Sequence, residues 1–320
     1  MKTSEALKTA ALCAVLALLC LRAEAGDGKI PVPTSDGTYM FAERDTCRLY
    51  MDIYEPKPED TAFASGRSKP TVIFMFGGGF IGGSRDDAGL MPLFGEMLQR
   101  GLRIVSIDYR LGLKGKKNVG IGNVDDIDNA IHIAVEDLFS ATAFIIDNAA
   151  ELGIDPANIV VMGSSAGAIS VLQAEYEICN GGTWAQPLPE GFNYRGVISL
   201  AGAIFSRNGG LKYKTEPCPM LLFHGTADKV VNYRQMRFFN LGWFGSNTIA
   251  SVCRKNGYSH CIYRYDGYRH EIAGAGHENL PAIMEFLEVN VSEGIRRNID
   301  ATVTDPRITP SEVTLDDLYN

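Results

Sequence analysis

The sequence has little of what marks membrane-spanning or nucleic-acid-binding proteins. Its most apolar run, Ala10 to Leu21, has twelve residues, fewer than the ~20 that a membrane-spanning helix needs. Lys and Arg number 30 against 38 Asp and Glu, which gives a net charge of -8. The chain therefore lacks the basic face that nucleic acid or an anionic membrane requires. We expect no nucleic-acid partner and no membrane span in the mature chain.

Patterns for metals and nucleotides are also missing. None of the five His residues belongs to an HExxH motif, and the Cys residues lack metal-ligand spacing. No Gly-Lys-Ser/Thr follows the glycine-rich stretch at Gly77–Gly83, which excludes a P-loop, and the dinucleotide pattern GxGxxG is only loosely approached. These absences predict an enzyme or binding protein with no metal and no cofactor.

The first 25 residues are typical of a secretory signal peptide. Lys2 and Lys8 precede the apolar run, and Ala23-Glu24-Ala25 provides a small-x-small cleavage site. We expect a mature chain that begins at Gly26 and is periplasmic or extracellular. A buried N-terminal helix is the alternative. A lipoprotein anchored at Cys20 is disfavoured, because Leu19 stands where a small residue normally precedes the lipidated cysteine.

Five cysteines follow the predicted cleavage site, an odd number that leaves at least one unpaired within the chain. Cys253 and Cys261 are close enough in sequence for a local disulfide, and two buried thiols are the equal alternative. The five are Cys47, Cys179, Cys218, Cys253 and Cys261.

Apolar, β-rich runs alternate with helical stretches along the whole chain. Continuous rather than alternating hydrophobicity predicts strands buried on both faces, as in a parallel sheet. Leu49 to Tyr54 does alternate and is followed by Pro56, which predicts an antiparallel hairpin at the sheet edge. The fold class is therefore α/β, with a doubly wound, mostly parallel sheet and helices on both faces. The predicted strands are Val72–Met75, Ile104–Ile107, Ile159–Met162, Val197–Leu200, Met220–Phe223 and Ile262–Tyr265, and the predicted helices are Leu90–Arg100, Val124–Ala150, Ala168–Cys179 and Leu280–Val289.

This pattern divides the chain into a signal peptide at 1–25, a catalytic domain at 26–295 and a polar tail at 296–320. The tail contains Pro306 and Pro310, and we expect it to lie on the surface or to be partly disordered. The short connection between the strands at Val197–Leu200 and Met220–Phe223 leaves no space for a lid domain.

The stretch Gly163-Ser164-Ser165-Ala166-Gly167 lies between a predicted strand and a predicted helix. As a bare pattern GxSxG is weak, but this position is that of a nucleophile elbow, in which glycines on both sides relieve clashes around a strained serine. The pattern therefore predicts Ser165 as a nucleophile.

A second glycine-rich stretch, Phe76 to Phe80, follows the earlier strand at Val72–Met75. Consecutive glycines at a strand end let backbone N–H groups approach a reacting carbonyl oxygen. We predict an oxyanion hole formed by Gly78, Gly79 and Ala166. A flexible loop or a phosphate cradle is the alternative.

The acid and the base follow later strands. Asp228 lies just past the strand at Met220–Phe223, at the edge where ligands bind in such sheets. His270 follows the strand at Ile262–Tyr265 by a short turn and reaches the same edge, so it is the preferred base. His277 is the main alternative base. A turn-capping role is the alternative for Asp228.

The order Ser165, Asp228, His270 is that of the α/β-hydrolase triad. Residues from about Leu49 to Val289 resemble secreted α/β-hydrolase esterases, including carboxylesterases and the acetylxylan and feruloyl esterase-like members. The resemblance implies a serine nucleophile, an oxyanion hole, an acid and a base at the positions predicted above. The motifs that carry it are FGGGF at 76–80, SIDYRLG at 106–112, GSSAGA at 163–168, HGTADKVV at 224–231 and YDGYRHE at 265–271.

The sequence also departs from parts of that family. Phe76 stands where many such esterases have His, and Ser164 and Ala168 stand where the hormone-sensitive-lipase group usually has an acidic residue and Gly. The substrate class is therefore inferred separately, from secretion and the missing lid, as a short acyl or carbohydrate-linked ester. Candidate substrate contacts are Phe80, Trp243 and Phe244, with core packing as the alternative for the last two.

Two other functions remain open on the sequence alone. A serine peptidase or amidase shares this catalytic arrangement but normally has a large extra domain, for which the chain has no room. A non-catalytic binding module on the same fold is the other alternative, and the intact set of Ser165, Asp228 and His270 argues against it.

Overall fold

The computed structural model describes residues 32–45, 47–57, 62–116 and 123–311. The predicted signal peptide and the last nine residues of the predicted tail lie outside these ranges.

A nine-stranded mixed sheet forms the centre of the molecule, with strand order β1-β2-β4-β3-β5-β6-β8-β11-β12. β1 and β2 pair antiparallel at one edge, and β2 pairs antiparallel with β4. From β4 to β12 every pairing is parallel. The strands are β1 Gly37–Arg44, β2 Cys47–Tyr54, β3 Thr71–Met75, β4 Arg103–Ile107, β5 Ile159–Ser164, β6 Gly196–Leu200, β7 Ala203–Ser206, β8 Met220–Gly225, β9 Gln235–Phe238, β10 Leu241–Gly245, β11 His260–Tyr265 and β12 Ile299–Val303.

The central strands are buried along their length, because helices cover both faces of the sheet. Every residue of β3, β6 and β8 is buried, which explains why these strands are continuously apolar in sequence. The prediction of a doubly wound parallel sheet with an antiparallel edge hairpin is confirmed. The helices are α1 Met91–Gln99, α2 Val124–Asp147, α3 Ala149–Leu152, α4 Ala166–Asn180, α5 Ser246–Asn256 and α6 Leu280–Phe286, the last continuing as a π-helix over Leu287–Ser292.

Helix α2 is long and apolar enough to cross a membrane by length and composition alone. In the structure it packs against α4 and β1, and its residues Ala134, Leu138 and Phe139 are fully buried. Its hydrophobicity is therefore explained by its place in the core of the domain.

Two segments differ from the sequence-based expectation. The predicted polar tail after Ile295 contributes β12, which adds to the sheet parallel to β11; its half-buried Ile299 and Val303 alternate with exposed Asp300 and Thr302, as in an edge strand. The connection after β6 contains β7, which joins β10 and β9 in a small antiparallel sheet. β7 packs against α4, and β7 and β10 pack against α5. The small sheet therefore lies beside these two helices.

The five described cysteines are all free. Cys253 and Cys261 are buried, so the alternative of two buried thiols holds and the local disulfide does not.

Candidate active site

Ser165 occupies the turn between β5 and α4. Its backbone has φ 49° and ψ -115°, a conformation that a residue with a side chain rarely adopts. The turn is held by the Ser165 N–H, which donates to the Leu200 carbonyl over 2.9 Å, and by the Ser165 carbonyl, which accepts from Ile169 N–H. Strain at this residue presents the hydroxyl above the carboxyl edge of the sheet.

The two glycines of the GSSAG stretch are required by close backbone contacts. A Cβ on Gly163 would lie 2.3 Å from the Gly167 carbonyl oxygen, and a Cβ on Gly167 would lie 2.1 Å from the Met75 carbonyl oxygen. Such distances are not tolerated, so only glycine allows α4 to begin this close to the end of β3.

His270 begins a 3₁₀ turn, His270–Gly274, that follows β11. Its Nε2 lies 2.8 Å from Ser165 Oγ, and its Nδ1 lies 2.8 Å from Asp228 Oδ2. Its side chain is 12% exposed, so a small molecule has access to it, whereas Asp228 beneath it is fully buried. The three side chains thus form one continuous hydrogen-bonded chain.

Asp228 lies on the loop after β8, and the same loop satisfies its other oxygen. Oδ1 accepts the backbone N–H groups of Val230 and Val231, at 2.8 and 3.0 Å. Burial by itself would raise the pKa of this carboxyl, but His270 and His224 outweigh burial and hold the pKa well below its usual value. Asp228 is therefore a carboxylate at neutral pH.

The acid loop and the histidine loop are joined directly through their backbones. Thr226 N–H donates to the Tyr265 carbonyl and Ala227 N–H to the Tyr268 carbonyl, both over 2.9 Å. A Cβ on Gly225 would lie 2.2 Å from the Arg269 carbonyl oxygen, so glycine is required where the histidine loop crosses the end of β8.

The glycine-rich loop after β3 lies against the Ser165 turn. A Cβ on Gly77 would be 3.3 Å from the Ser165 Cβ. Gly78 has φ +122°, and a Cβ there would lie 2.3 Å from the Gly82 carbonyl oxygen, so the loop conformation is restricted to glycine. Gly79 also has a positive φ. Ala166, the third predicted oxyanion donor, directly follows Ser165 as the first residue of α4.

Phe76, which replaces the family's usual histidine, is fixed by Tyr109. The two rings stack with centroids 4.4 Å apart, and the Tyr109 hydroxyl donates to the Phe76 carbonyl over 2.8 Å. Asp108 accepts from Arg85 over 2.8 Å, and Arg110 pairs with the fully buried Asp137. Tyr109 therefore supports the base of the glycine-rich loop.

The predicted substrate contacts and the alternative base lie away from the Ser165–His270–Asp228 chain or are buried. Phe80 and Phe244 are 3% and 1% exposed and lie in the core, so neither side chain is available to a substrate in this conformation. Trp243 is half-buried beside Phe205, with ring centroids 6.4 Å apart. His277, the alternative base, pairs with Glu96 of α1, with Nδ1 3.0 Å from Oε2, and does not replace His270 beside Ser165.

The side-chain hydrogen bond of Ser164 was not predicted from the sequence. Ser164 donates its hydroxyl to the Ala273 carbonyl over 2.7 Å and so ties the Ser165 turn to the turn that carries His270. The only signal was its occupation of a position where the hormone-sensitive-lipase group has an acidic residue. Within the described residues, no cluster of three or more His, Cys, Asp or Glu could hold a metal ion.

Comparison with solved structures establishes the fold. Esterase 2 from the planctomycete Thermogutta terrifontis superimposes with a TM-score of 0.56 at 22% identity, covering 81% of this chain and 92% of that chain. The chain therefore has the α/β-hydrolase fold. The BD-FAE family matches residues 51–177, the part that carries the glycine-rich loop and the Ser165 turn.

Curated relatives match less than half of the chain. Fumonisin B1 esterase of Sphingopyxis macrogoltabida is 29% identical over 42% of this chain and 23% of its own length. Bile salt-activated lipase of Mus musculus is 30% identical over 43% of this chain and 22% of its own. Neuroligin-like protein glit-1 of Caenorhabditis elegans is 30% identical over 45% of this chain and 18% of its own length. The resemblance to α/β-hydrolase esterases is confirmed, although the chain spans less than a quarter of these relatives.

Proposed function

We propose that this protein is a serine hydrolase that cleaves carboxylic esters through an acyl-enzyme intermediate. The observation that carries the proposal is the chain from Ser165 Oγ through His270 to Asp228, with 2.8 Å at each step. Nucleophile, base and orienting carboxylate are thus within hydrogen-bond reach in the order that serine hydrolysis requires.

Each residue has a distinct step. His270 Nε2 takes the proton from Ser165 as its oxygen attacks the ester carbonyl, and Asp228 stabilises the imidazolium that results. The backbone N–H groups of Gly78, Gly79 and Ala166 stabilise the oxyanion, each contributing on the order of 3 kcal/mol. His270 then gives its proton to the leaving alcohol. Water, activated by the same histidine, attacks the acyl-enzyme, releasing the carboxylic acid and regenerating Ser165.

The substrate class we propose is a short acyl ester or an ester linked to carbohydrate, such as an acetyl or feruloyl group. Two structures of the Thermogutta terrifontis esterase contain propionate and butyrate, which supports a short acyl group. The carbohydrate-linked alternative follows from the predicted export of the chain.

A panel of variants tests this function. We expect the purified protein to release nitrophenol from p-nitrophenyl acetate, and we expect Ser165→Ala to abolish this release while the protein stays folded. Asp228→Asn should also lose most activity, because an amide cannot stabilise the imidazolium. Wild-type protein inactive on nitrophenyl acetate, propionate and butyrate, or hydrolysis indifferent to Ser165, would contradict the proposal. Hydrolysis of the matching anilide at a comparable rate would instead favour an amidase.

We also propose that the protein is exported and cleaved after Ala25. The charged start, apolar run and Ala23-Glu24-Ala25 site support this. Cell fractionation and N-terminal sequencing should find a chain beginning at Gly26 outside the cytoplasm. Full-length chain retained in the cytoplasm would contradict export without affecting the catalytic proposal.

A further inference from the structure

His224 is a fully buried histidine near the end of β8, the strand that precedes the loop carrying Asp228. Its residue is 0% exposed, and it precedes Asp228 by four positions. It takes no part in the proton transfers described above. The groups around it are nevertheless the acid loop itself and the first residue of α5.

The partners of His224 require a proton on Nε2. Nε2 lies 2.9 Å from the Val231 carbonyl oxygen and 3.2 Å from Asp228 Oδ2. Both are acceptors only, the latter as a carboxylate, so Nε2 must carry the proton. Nδ1 lies 2.8 Å from Ser246 Oγ, whose hydroxyl also lies 3.5 Å from the Gly202 carbonyl oxygen. We assign a proton to Nε2 from this network.

With this assignment, four donors surround Asp228. Oδ1 accepts two backbone N–H groups, from Val230 and Val231, and Oδ2 faces His270 Nδ1 and His224 Nε2. His224 also binds the carbonyl of Val231, so it holds both the carboxylate and the far end of the loop that carries it. Removing His224 would free the loop at both points.

We propose that His224 is a positioning residue, which with Ser246 holds Asp228 in the geometry that orients His270. The hydrogen-bonded chain would then run from Ser165 through His270, Asp228 and His224 to Ser246. Ser246 directly follows β10, so the small antiparallel sheet is joined to the acid through this chain. The inference rests on the proposed esterase function.

The test compares two replacements of His224 with a matched buried histidine. His224→Gln keeps an N–H donor near the Nε2 position, whereas His224→Leu removes every polar atom. His260 is the control, because it is 1% exposed and lies in the neighbouring strand β11, where it pairs with Met220 at the opposite end of β8. His260→Leu therefore removes a buried imidazole from the same sheet without touching Asp228.

We expect His224→Leu to lower kcat by ~10- to 100-fold, as loss of an orienting outer contact typically does, with KM changed far less. His224→Gln should recover most of this loss, and His260→Leu should lower stability but not the kcat of the folded protein. Ser246→Ala, which removes only the remote hydroxyl, should lower kcat in the same direction by a smaller factor. It also covers the case in which His224→Leu does not fold.

Three outcomes would overturn the inference. They are a kcat of His224→Leu equal to that of wild type, a His224→Gln variant no better than His224→Leu, and an equal loss of kcat in His260→Leu. If His224→Leu does not fold, an unchanged kcat in Ser246→Ala has the same meaning.

A measurement without turnover separates this inference from the proposed function. The proton between His270 Nδ1 and Asp228 is observable by NMR as a downfield resonance, and we expect it to shift in Ser246→Ala and His224→Leu but not in His260→Leu. If wild type hydrolyses no ester and the resonance still shifts in this way, the proposed function fails and the positioning role stands. An unchanged resonance would refute the positioning role.

Discussion

The hydroxyl of Ser164 and the carbonyl oxygen of Ala273 are 2.7 Å apart, although the residues are 109 positions apart in sequence. This hydrogen bond joins the turn that carries Ser165 to the turn that carries His270. Both turns are at the ends of parallel strands with no common backbone pairing, since β5 and β11 are separated by β6 and β8 in the sheet. Ser164 therefore links the Ser165 turn to the His270 turn without itself belonging to the proposed triad.

The first prediction follows from this bond. Ser164→Ala should lower the free energy of unfolding by ~1 kcal/mol, the usual net value of one hydrogen bond, and should lower kcat because the His270 turn loses its tether. Denaturant unfolding and ester hydrolysis measure the two effects. Ser251→Ala is the control, since Ser251 makes a similar 2.7 Å bond to Asn247 on an exposed part of α5. If Ser164→Ala loses ~1 kcal/mol of stability but keeps the wild-type kcat, the bond does not position the His270 turn for catalysis.

The second prediction separates the two candidate bases. His270→Ala should reduce kcat by on the order of 10⁴-fold or more, because it removes the general base. His277→Ala should retain most activity and lose only the contact with Glu96, which is partly exposed and so contributes little to stability. Steady-state release of nitrophenol measures the kcat of both variants. Comparable losses in the two variants would mean that the base is not assigned correctly.

The third prediction concerns glycine at the crossing of the two loops. Gly225→Ala should abolish activity and strongly destabilise the protein, because its Cβ would lie 2.2 Å from the Arg269 carbonyl oxygen. Gly82→Ala is the matched control, since nothing lies within 4 Å of a Cβ there. We expect Gly82→Ala to have a Tm and a rate of ester hydrolysis close to those of wild type, measured by thermal unfolding and nitrophenol release. A Gly225→Ala variant as stable as Gly82→Ala would contradict the contact.

The fourth prediction is a pH dependence of stability. Glu175 is fully buried in α4, where it accepts from the Cys218 N–H over 2.7 Å and from the Cys179 thiol. Burial raises its pKa despite these bonds. Because the folded state then holds the proton more tightly than the unfolded state, the stabilising protonation is fully present below pH ~4 and is lost as pH rises through the raised pKa.

Glu175→Gln removes this titration while keeping an acceptor oxygen. We expect wild type to lose stability relative to Glu175→Gln by at most ~1.4 kcal/mol per pH unit above pH ~4, and the difference to become constant above the folded pKa. Denaturant unfolding between pH 4 and 8 measures it, with the exposed Glu190→Gln correcting for the loss of one net charge. A difference independent of pH would show that Glu175 does not titrate on folding.

The parts of the fold that were predicted are those with a local signal. Continuous apolar runs identified the buried parallel strands, and alternation with a following proline identified the edge hairpin. The strand β12 was missed because its short alternation, Ile299 to Val303, lies in a polar segment with prolines nearby. Its position is explained only by the free edge of β11, to which it pairs. The small sheet was missed for the same reason, since β9 is exposed at all four residues and is specified by its partner.

The candidate site divides in the same way. The sequence by itself determined that Ser165, Asp228 and His270 each follow a parallel strand, because residues at the carboxyl ends of such strands meet at one edge. The sequence also determined that glycines surround Ser165 and form the loop after β3, because a backbone that turns sharply or lies against another backbone has no space for a side chain. Which histidine meets Ser165 was decided only by the tertiary structure, as were the burial of Phe80 and Phe244 and the contact of His224 with Asp228. Those relationships depend on packing between segments far apart in the chain, and no local pattern encodes the distance between them.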